Sequence, residues 1–236
     1  MAARVIFNAD DFGASPEINA AVAGAHDAGV LTSASLMVTG DAWEAAVALA
    51  RARPRLGVGL HLTLTRGRAA LPPADLPGLV DARGRFLGGP VRAGLRYFFR
   101  PGAVDLLALE IAAQFARFNA TGLPLDHVNG HLHLHLHPRA LPSVLAGGAG
   151  APRAGLRRVG EAPRPNALLA PGRVGGSLAH AAVFRALAAH AAPRLRRAGV
   201  RVADAVFGLL QNGRMDEGFL LRLLPRLPAG LVEIYS

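Results

Sequence analysis

The sequence predicts an α/β fold built on a mainly parallel sheet, and three observations predict it. Seven apolar segments of strand length alternate with stretches of helical periodicity, with no all-β or all-α block among them. The 236 residues, 51% hydrophobic, suffice for one large core in a single domain. The residues that could carry chemistry fall just after predicted strands, where parallel α/β folds place their sites. Closed, such a sheet is a seven-stranded (β/α) barrel-like fold, an incomplete TIM-barrel type; open, it is doubly wound.

Val5-Ile6-Phe7 reads as the first strand and ends at Asn8 to Asp11. Ser15-Pro16-Glu17 then opens a helix, with Ser15 as N-cap, Pro16 at its first position, a stripe of Ile18, Val22 and Ala25, and Gly29 beyond its end. Ser33 to Val38 is the second strand, and a helix from Trp43 to Arg53 follows, with Asp41 available to cap it. Gly57 to Leu64 is the third strand and contains His61. From 65 to 102 the pattern breaks into Pro, Gly and Arg, an excursion long enough to suggest a lid or binding loop. Val104 to Phe118 is helical, with Leu107, Ile111, Phe115 and Phe118 on one side. Leu125 to Asn129 is the fourth strand, and Pro138 opens a short helix. Leu156 to Val159, Val200 to Phe207 and Leu231 to Tyr235 complete the strands, with helices over Leu178 to Arg197 and Asp216 to Leu224. Gly147-Gly148 and Gly175-Gly176 read as loop glycines, lacking phosphate-binding spacing.

Composition limits the chemistry. With no cysteine, disulfides, thiolate metal sites and cysteine nucleophiles are excluded, so any metal must be held by nitrogen and oxygen. The formal net charge is +10 and every basic residue is Arg, but the arginines are scattered, which argues for compositional bias over a nucleic-acid face. Met1 to Arg4 leads straight into an apolar strand and no apolar run reaches about 20 residues, so the expectation is a soluble, cytoplasmic protein without a signal peptide.

Five of the nine histidines lie in one stretch: His127, His131, His133, His135 and His137. All occupy odd positions, so an extended backbone would aim every imidazole at one face. Asp10 and Asp11 follow the first strand and His61 lies late in the third, so three distant stretches point to one rim. One aspartate can ligate a cation while its neighbour takes a proton, the division that metal-assisted hydrolysis needs. His26, His180 and His190 sit in Ala-rich helical stretches and read as ordinary helix residues.

At these residues the sequence resembles a known family. Ala9-Asp10-Asp11-Phe12-Gly13, Gly59-Leu60-His61-Leu62-Thr63-Leu64 and Asp126-His127-Val128-Asn129-Gly130-His131-Leu132-His133-Leu134-His135 are similar to the three motifs of the YdjC-like (ChbG-type) carbohydrate deacetylases. Thr32 to Val38, Tyr97 to Gly102, Thr121 to Asn129 and the Glu233-Ile234-Tyr235 ending resemble the hopanoid-biosynthesis subgroup, HpnK. The resemblance implies a metal-dependent hydrolase that removes the acetyl group from an N-acetylglucosamine-containing substrate, here an N-acetylglucosaminyl hopanoid. A chitooligosaccharide deacetylase and a non-catalytic histidine-rich metal-binding protein are the alternatives. It implies Asp10 as catalytic base and Asp11, His61 and His131 as ligands of one divalent ion (Zn, Mg or Co). His127, His133 and His135 are left as candidates for the acid or for supporting roles.

Two departures accompany it. Many family members carry Asp-Ser where this chain has Asn129-Gly130, a feature of the hopanoid subgroup. The family also usually continues past Glu-Ile-Tyr into a His-Pro pair, whereas this sequence stops at Ser236, so a truncated chain lacking one rim histidine is expected. The implied partner is an N-acetylated glycolipid or oligosaccharide, without nucleic acid, with peripheral contact to the inner membrane and a homodimer both left open.

Overall fold

The computed structural model describes residues 2–160, 175–211 and 215–236. Its strands are β1 (Ala3–Phe12), β2 (Ser33–Leu36), β3 (Gly57–Leu62), β4 (His127–Gly130), β5 (Gly155–Leu156), β6 (Ala205–Phe207) and β7 (Gly230–Tyr235). They pair in the order β5-β4-β3-β2-β1-β7-β6, every pair parallel. The sheet curls until its edges touch: Gly155 bridges Arg201, and the Leu156 N–H donates to the Arg201 carbonyl at 2.9 Å. Seven strands therefore form the incomplete barrel that the sequence predicts.

The helices are α1 (Pro16–Asp27), α2 (Trp43–Arg51), α3 (Pro90–Phe99), α4 (Ala103–Asn119), α5 (Leu141–Gly148), α6 (Gly175–Arg197) and α7 (Glu217–Leu223). Ser15 caps α1 as predicted, its hydroxyl accepting from the Ile18 N–H, and Asp216 caps α7 through the Phe219 N–H at 2.7 Å. Asp41 does not cap α2: that helix begins after Ala42, and the Asp41 carboxylate lies 3.4 Å from the Arg68 guanidinium instead. Gly147 and Gly148 belong to α5 rather than a loop, because α5 packs so close to α4 that a Cβ at 147 would lie 2.3 Å from the Phe115 ring. Gly175 and Gly176 likewise open α6, and α5 starts at Leu141 rather than at Pro138.

The main core joins the outer sheet face to the helices through Phe12, Leu36, Leu60, Leu62, Ile111, Phe115 and Phe118. The excursion at 65–102 is not structureless. It contains a 3-10 turn at Pro73–Asp75, antiparallel bridges joining Arg68 to Arg85 and Val80 to Phe86, and α3. Leu76, Leu79, Phe86 and Tyr97 bury into the main core, which compensates the entropy of ordering so long a segment. Glu110 of α4, wholly buried, accepts from the N–H groups of Ala70 (2.8 Å) and Leu71 (3.0 Å) and from Gln114 Nε2 (2.6 Å). Gln114 in turn bonds the N–H and carbonyl of Thr63 at 2.9 and 2.8 Å, and Tyr97 donates to the Leu64 carbonyl. These bonds fix the excursion to the end of β3, one turn of chain beyond His61.

Candidate active site

β1 runs further than the sequence suggests and carries both aspartates at its carboxyl end. In a regular strand their side chains would diverge, but the pairing of β1 with β2 shifts register between Ala9 and Phe12, and Asp11 adopts a left-handed backbone with φ of 58°. Both carboxylates therefore reach His61: Asp11 Oδ1 lies 3.2 Å from its Nε2 and Asp10 Oδ1 4.0 Å from its Nδ1. Behind the bulge, the Gly13 N–H donates to Asn19 Oδ1 of α1 at 2.8 Å, bracing the turn.

Asp11, His61 and His131 form a group able to hold a metal ion, with one donor atom from each all within 4.8 Å of one another. Asp11 Oδ1 is 2.9 Å from His131 Nδ1, and the two imidazoles meet edge to face at 5.8 Å. One carboxylate and two imidazoles suit a divalent cation of borderline hardness and leave coordination positions for substrate. Burial raises the Asp11 pKa, but hydrogen bonds to His131 and His61 outweigh it and hold the carboxyl well below the usual range. His61 is drawn down by burial and more strongly up by Asp10 and Asp11, so its pKa is raised.

Asp10 faces the barrel interior. Arg157, just after β5, grips it with two bonds of 2.6 and 2.8 Å, while its Nε meets Glu233 at 2.7 Å and its guanidinium lies over the Tyr235 ring at 4.0 Å. Burial pushes the Asp10 pKa up, but Arg157 and then His61 overcome it and bring it to about 2. Oδ1 also accepts from Asn8 Nδ2 at 2.9 Å and Asn129 Nδ2 at 3.2 Å. Among the described residues Oδ2 accepts from Arg157 alone, which leaves that oxygen the room to take a proton.

The histidine stretch does not share one face. β4 ends at Gly130, and His131–Leu136 is a 3-10 turn broken by left-handed Leu132 (φ 51°) and His133 (φ 59°). The chain folds back over the strand end so tightly that a Cβ on Gly130 would lie 3.1 Å from both His135 and the Leu62 carbonyl. The imidazoles therefore fan out. His127 lies inside the barrel, 3.0 Å from Asp126 and 2.8 Å from Ser35; a Cβ on Gly59 would meet its ring at 2.4 Å, which explains that glycine. His133 meets the Tyr235 hydroxyl through Nε2 at 2.9 Å, and its Nδ1 is buried without a hydrogen-bond partner among the described residues. His135 Nε2 donates to the Arg157 carbonyl at 2.8 Å, and burial brings its pKa down to about 3. His137 packs on Phe98 at 4.4 Å and meets Tyr97 edge to face at 5.8 Å.

Sequence reasoning missed Arg157 and the role of Ser35. Two adjacent arginines, Arg157 and Arg158, inside the Leu156–Val159 strand segment were the available signal, because an arginine that a strand buries demands carboxylates nearby.

Fold and site together define a (β/α) barrel-like protein with a candidate metal centre on the rim at its strand ends. The chain belongs to the YdjC-like protein family, which matches residues 4–236. It is 44% identical over 142 residues to the carbohydrate deacetylase of Brevibacillus brevis, covering 60% of this chain and 54% of that protein. It is 37% identical over 141 residues to the chitooligosaccharide deacetylase of Salmonella paratyphi B, covering 59% and 53%. The chain thus spans about half the length of the curated relatives it matches. A crystal structure from Enterococcus faecalis V583, described as a candidate cellobiose-phosphate cleavage protein, shares the fold with a TM-score of 0.75 at 24% identity, over 100% of this chain and 81% of that one.

Proposed function

We propose that the chain is a metal-dependent deacetylase of N-acetylglucosamine-containing substrates. The observation that carries this reading is the Asp11, His61 and His131 cluster with Asp10 beside it on the same rim. The names of the relatives, carbohydrate and chitooligosaccharide deacetylase, support the reaction class. When bound there, a divalent cation polarises the acetamide carbonyl and acidifies a water. Asp11 and the two imidazoles would hold it; Asp10, kept ionised by Arg157, would receive the proton at Oδ2. The departing amine needs a proton in turn. His127 is committed inside the barrel and His135 to the Arg157 carbonyl, and burial holds His133 neutral with its Nδ1 closed off from solvent, so the proton taken up by Asp10 is the one that returns to the amine.

The finer reading is an N-acetylglucosaminyl hopanoid, with the protein peripheral to a membrane. The resemblance to the HpnK subgroup supports it, and so does α3, whose outward stripe leaves Val91 (74%), Leu95 (53%), Phe98 (42%) and Phe99 (78%) exposed. Arg92 and Arg100 flank that stripe, suiting an anionic, amphiphilic surface. Phe98 touches His137, so this surface adjoins the turn that begins at His131. A non-catalytic metal binder is not favoured, since the histidines of the stretch go to separate partners.

Acetate release tests the reading: chelator-treated protein is supplied with Zn, Co, Mg or Mn and assayed on an N-acetylglucosaminyl lipid and on chitooligosaccharides. Turnover that depends on the added ion is expected, highest on the lipid. Turnover equal with and without the ion refutes metal dependence; preference for the oligosaccharide refutes the lipid substrate.

A further inference from the structure

Beneath the rim lies a chain of hydrogen bonds whose donors and acceptors can be assigned by counting. It starts from the Asp10 carboxylate, which only accepts. The two amides that reach it therefore present nitrogen, fixing Asn8 and Asn129 in one orientation each. Both amides also donate to Ser35 Oγ, at 2.9 and 2.7 Å, and Ser35 is wholly buried. Two donors occupy the two lone pairs of that hydroxyl, so its own proton must leave along the remaining contact, 2.8 Å away, to His127 Nε2. His127 must accept there, so its proton sits on Nδ1 and is donated to Asp126 Oδ2 at 3.0 Å.

The other end of Asn129 completes the chain. With its nitrogen turned to Asp10 and Ser35, its Oδ1 faces His61 Nδ1 at 2.6 Å, so Nδ1 of His61 carries the proton. The Nε2 of that imidazole faces Asp11 Oδ1 at 3.2 Å, on the side where a cation would sit, and keeps its lone pair for it. The alternative fails at every link. If His127 carried its proton on Nε2, Ser35 Oγ would face three donors with its own proton unplaced. Turning Asn129 to relieve that would set its carbonyl against the Asp10 carboxylate and its N–H₂ against His61 Nδ1, driving the His61 proton to the metal side.

We propose that Asp126, His127 and Ser35 are positioning residues that, together with Asp10, hold Asn129 in the orientation that sets the tautomer of His61. The proposal rests on the metal-dependent reading only for its consequence, since the tautomer itself is a property of the metal-free chain. This assigns a purpose to Gly59 as well, whose lack of a side chain lets the His127 ring cross β3 to reach Ser35.

The test reads the ring nitrogens of His61 by ¹⁵N NMR in the metal-free protein at alkaline pH, assigned with a His61→Gln control. One tautomer, protonated at Nδ1, is expected for the wild type, with Ser35→Ala and Asp126→Leu giving a mixture or its reverse. Asp126→Asn keeps an acceptor for His127 and should restore the wild-type pattern, which a merely structural effect at this half-exposed position would not do. Zinc affinity measured by chelator competition should fall about 10- to 100-fold in Ser35→Ala and Asp126→Leu, and recover in Asp126→Asn. An unchanged His61 tautomer in Asp126→Leu, which lies at the barrel edge, would overturn the proposal. A wild type that shows the Nδ1 pattern but binds no zinc would refute the metal reading and leave the positioning role supported.

Discussion

Replacing Arg157 with leucine removes the one cation among the described residues that faces both Asp10 and Glu233 from the barrel interior, and its cost follows from the geometry. The guanidinium is 1% exposed and makes three bonds of 2.6 to 2.8 Å to the two carboxylates. Breaking a buried pair by deleting one partner costs about 3–5 kcal/mol, because the remaining charge stays desolvated. The pH dependence gives a second handle. Burial alone would raise the Asp10 pKa, yet Arg157 brings it from 3.8 to about 2. A carboxyl depressed by that much adds about 2.5 kcal/mol above its unfolded pKa, lost as pH falls from about 4 through 2. In Arg157→Leu burial is left dominant, so the Asp10 pKa rises above its unfolded value and the sign reverses: the variant is penalised as pH rises through that pKa and relieved as Asp10 takes a proton. Urea unfolding of wild type and variant should therefore differ by about 3–5 kcal/mol near pH 7, and by clearly less near pH 4. A penalty below about 1 kcal/mol near neutrality, or one equal at both pH values, would refute the claim that Arg157 holds Asp10 ionised.

Three further outcomes are expected. Glu110→Leu strands the part-buried N–H groups of Ala70 and Leu71, at about 1 kcal/mol each, and hydrogen exchange should accelerate at those two amides before the rest of the core. Gly59→Ala forces a Cβ to 2.4 Å from the His127 ring, so a loss of about 1–3 kcal/mol is expected, and the double variant with His127→Ala should regain part of it. Leu95→Ser with Phe99→Ser should abolish sedimentation with phosphatidylglycerol vesicles while hydrolysis of a soluble N-acetylglucosaminide is unchanged; vesicle binding that persists would remove α3 from the membrane contact.

The fold was legible because period and punctuation agreed: each of the seven strands overlaps a segment read as one, although β5 shares only Leu156 with the Leu156–Val159 segment, and Ser15 and Asp216 cap their helices. Asp10, Asp11, His61 and His131 were likewise legible, since each sits at or just beyond a strand end. The fan of the histidine stretch was not, because an alternating pattern fits an extended strand equally well, and left-handed Leu132 and His133 are tertiary outcomes without a glycine to announce them. Arg157 was missed for a related reason: its partners Asp10 and Glu233 are 147 and 76 residues away in sequence, so only the closed sheet reveals them. Helix α3 was hidden by its inverted pattern, with aromatic residues on the solvent side and Tyr97 alone deeply buried among them.

The central claim is that Asp11, His61 and His131 hold one cation while Asp10 performs proton transfer beside it. Zinc stoichiometry and acetate release measured together on Asp10→Asn test it most directly. The account predicts one ion still bound per chain and turnover reduced by about 10²- to 10⁴-fold. Turnover that survives the substitution would contradict it, as would an ion lost with Asp10 and retained in Asp11→Ala.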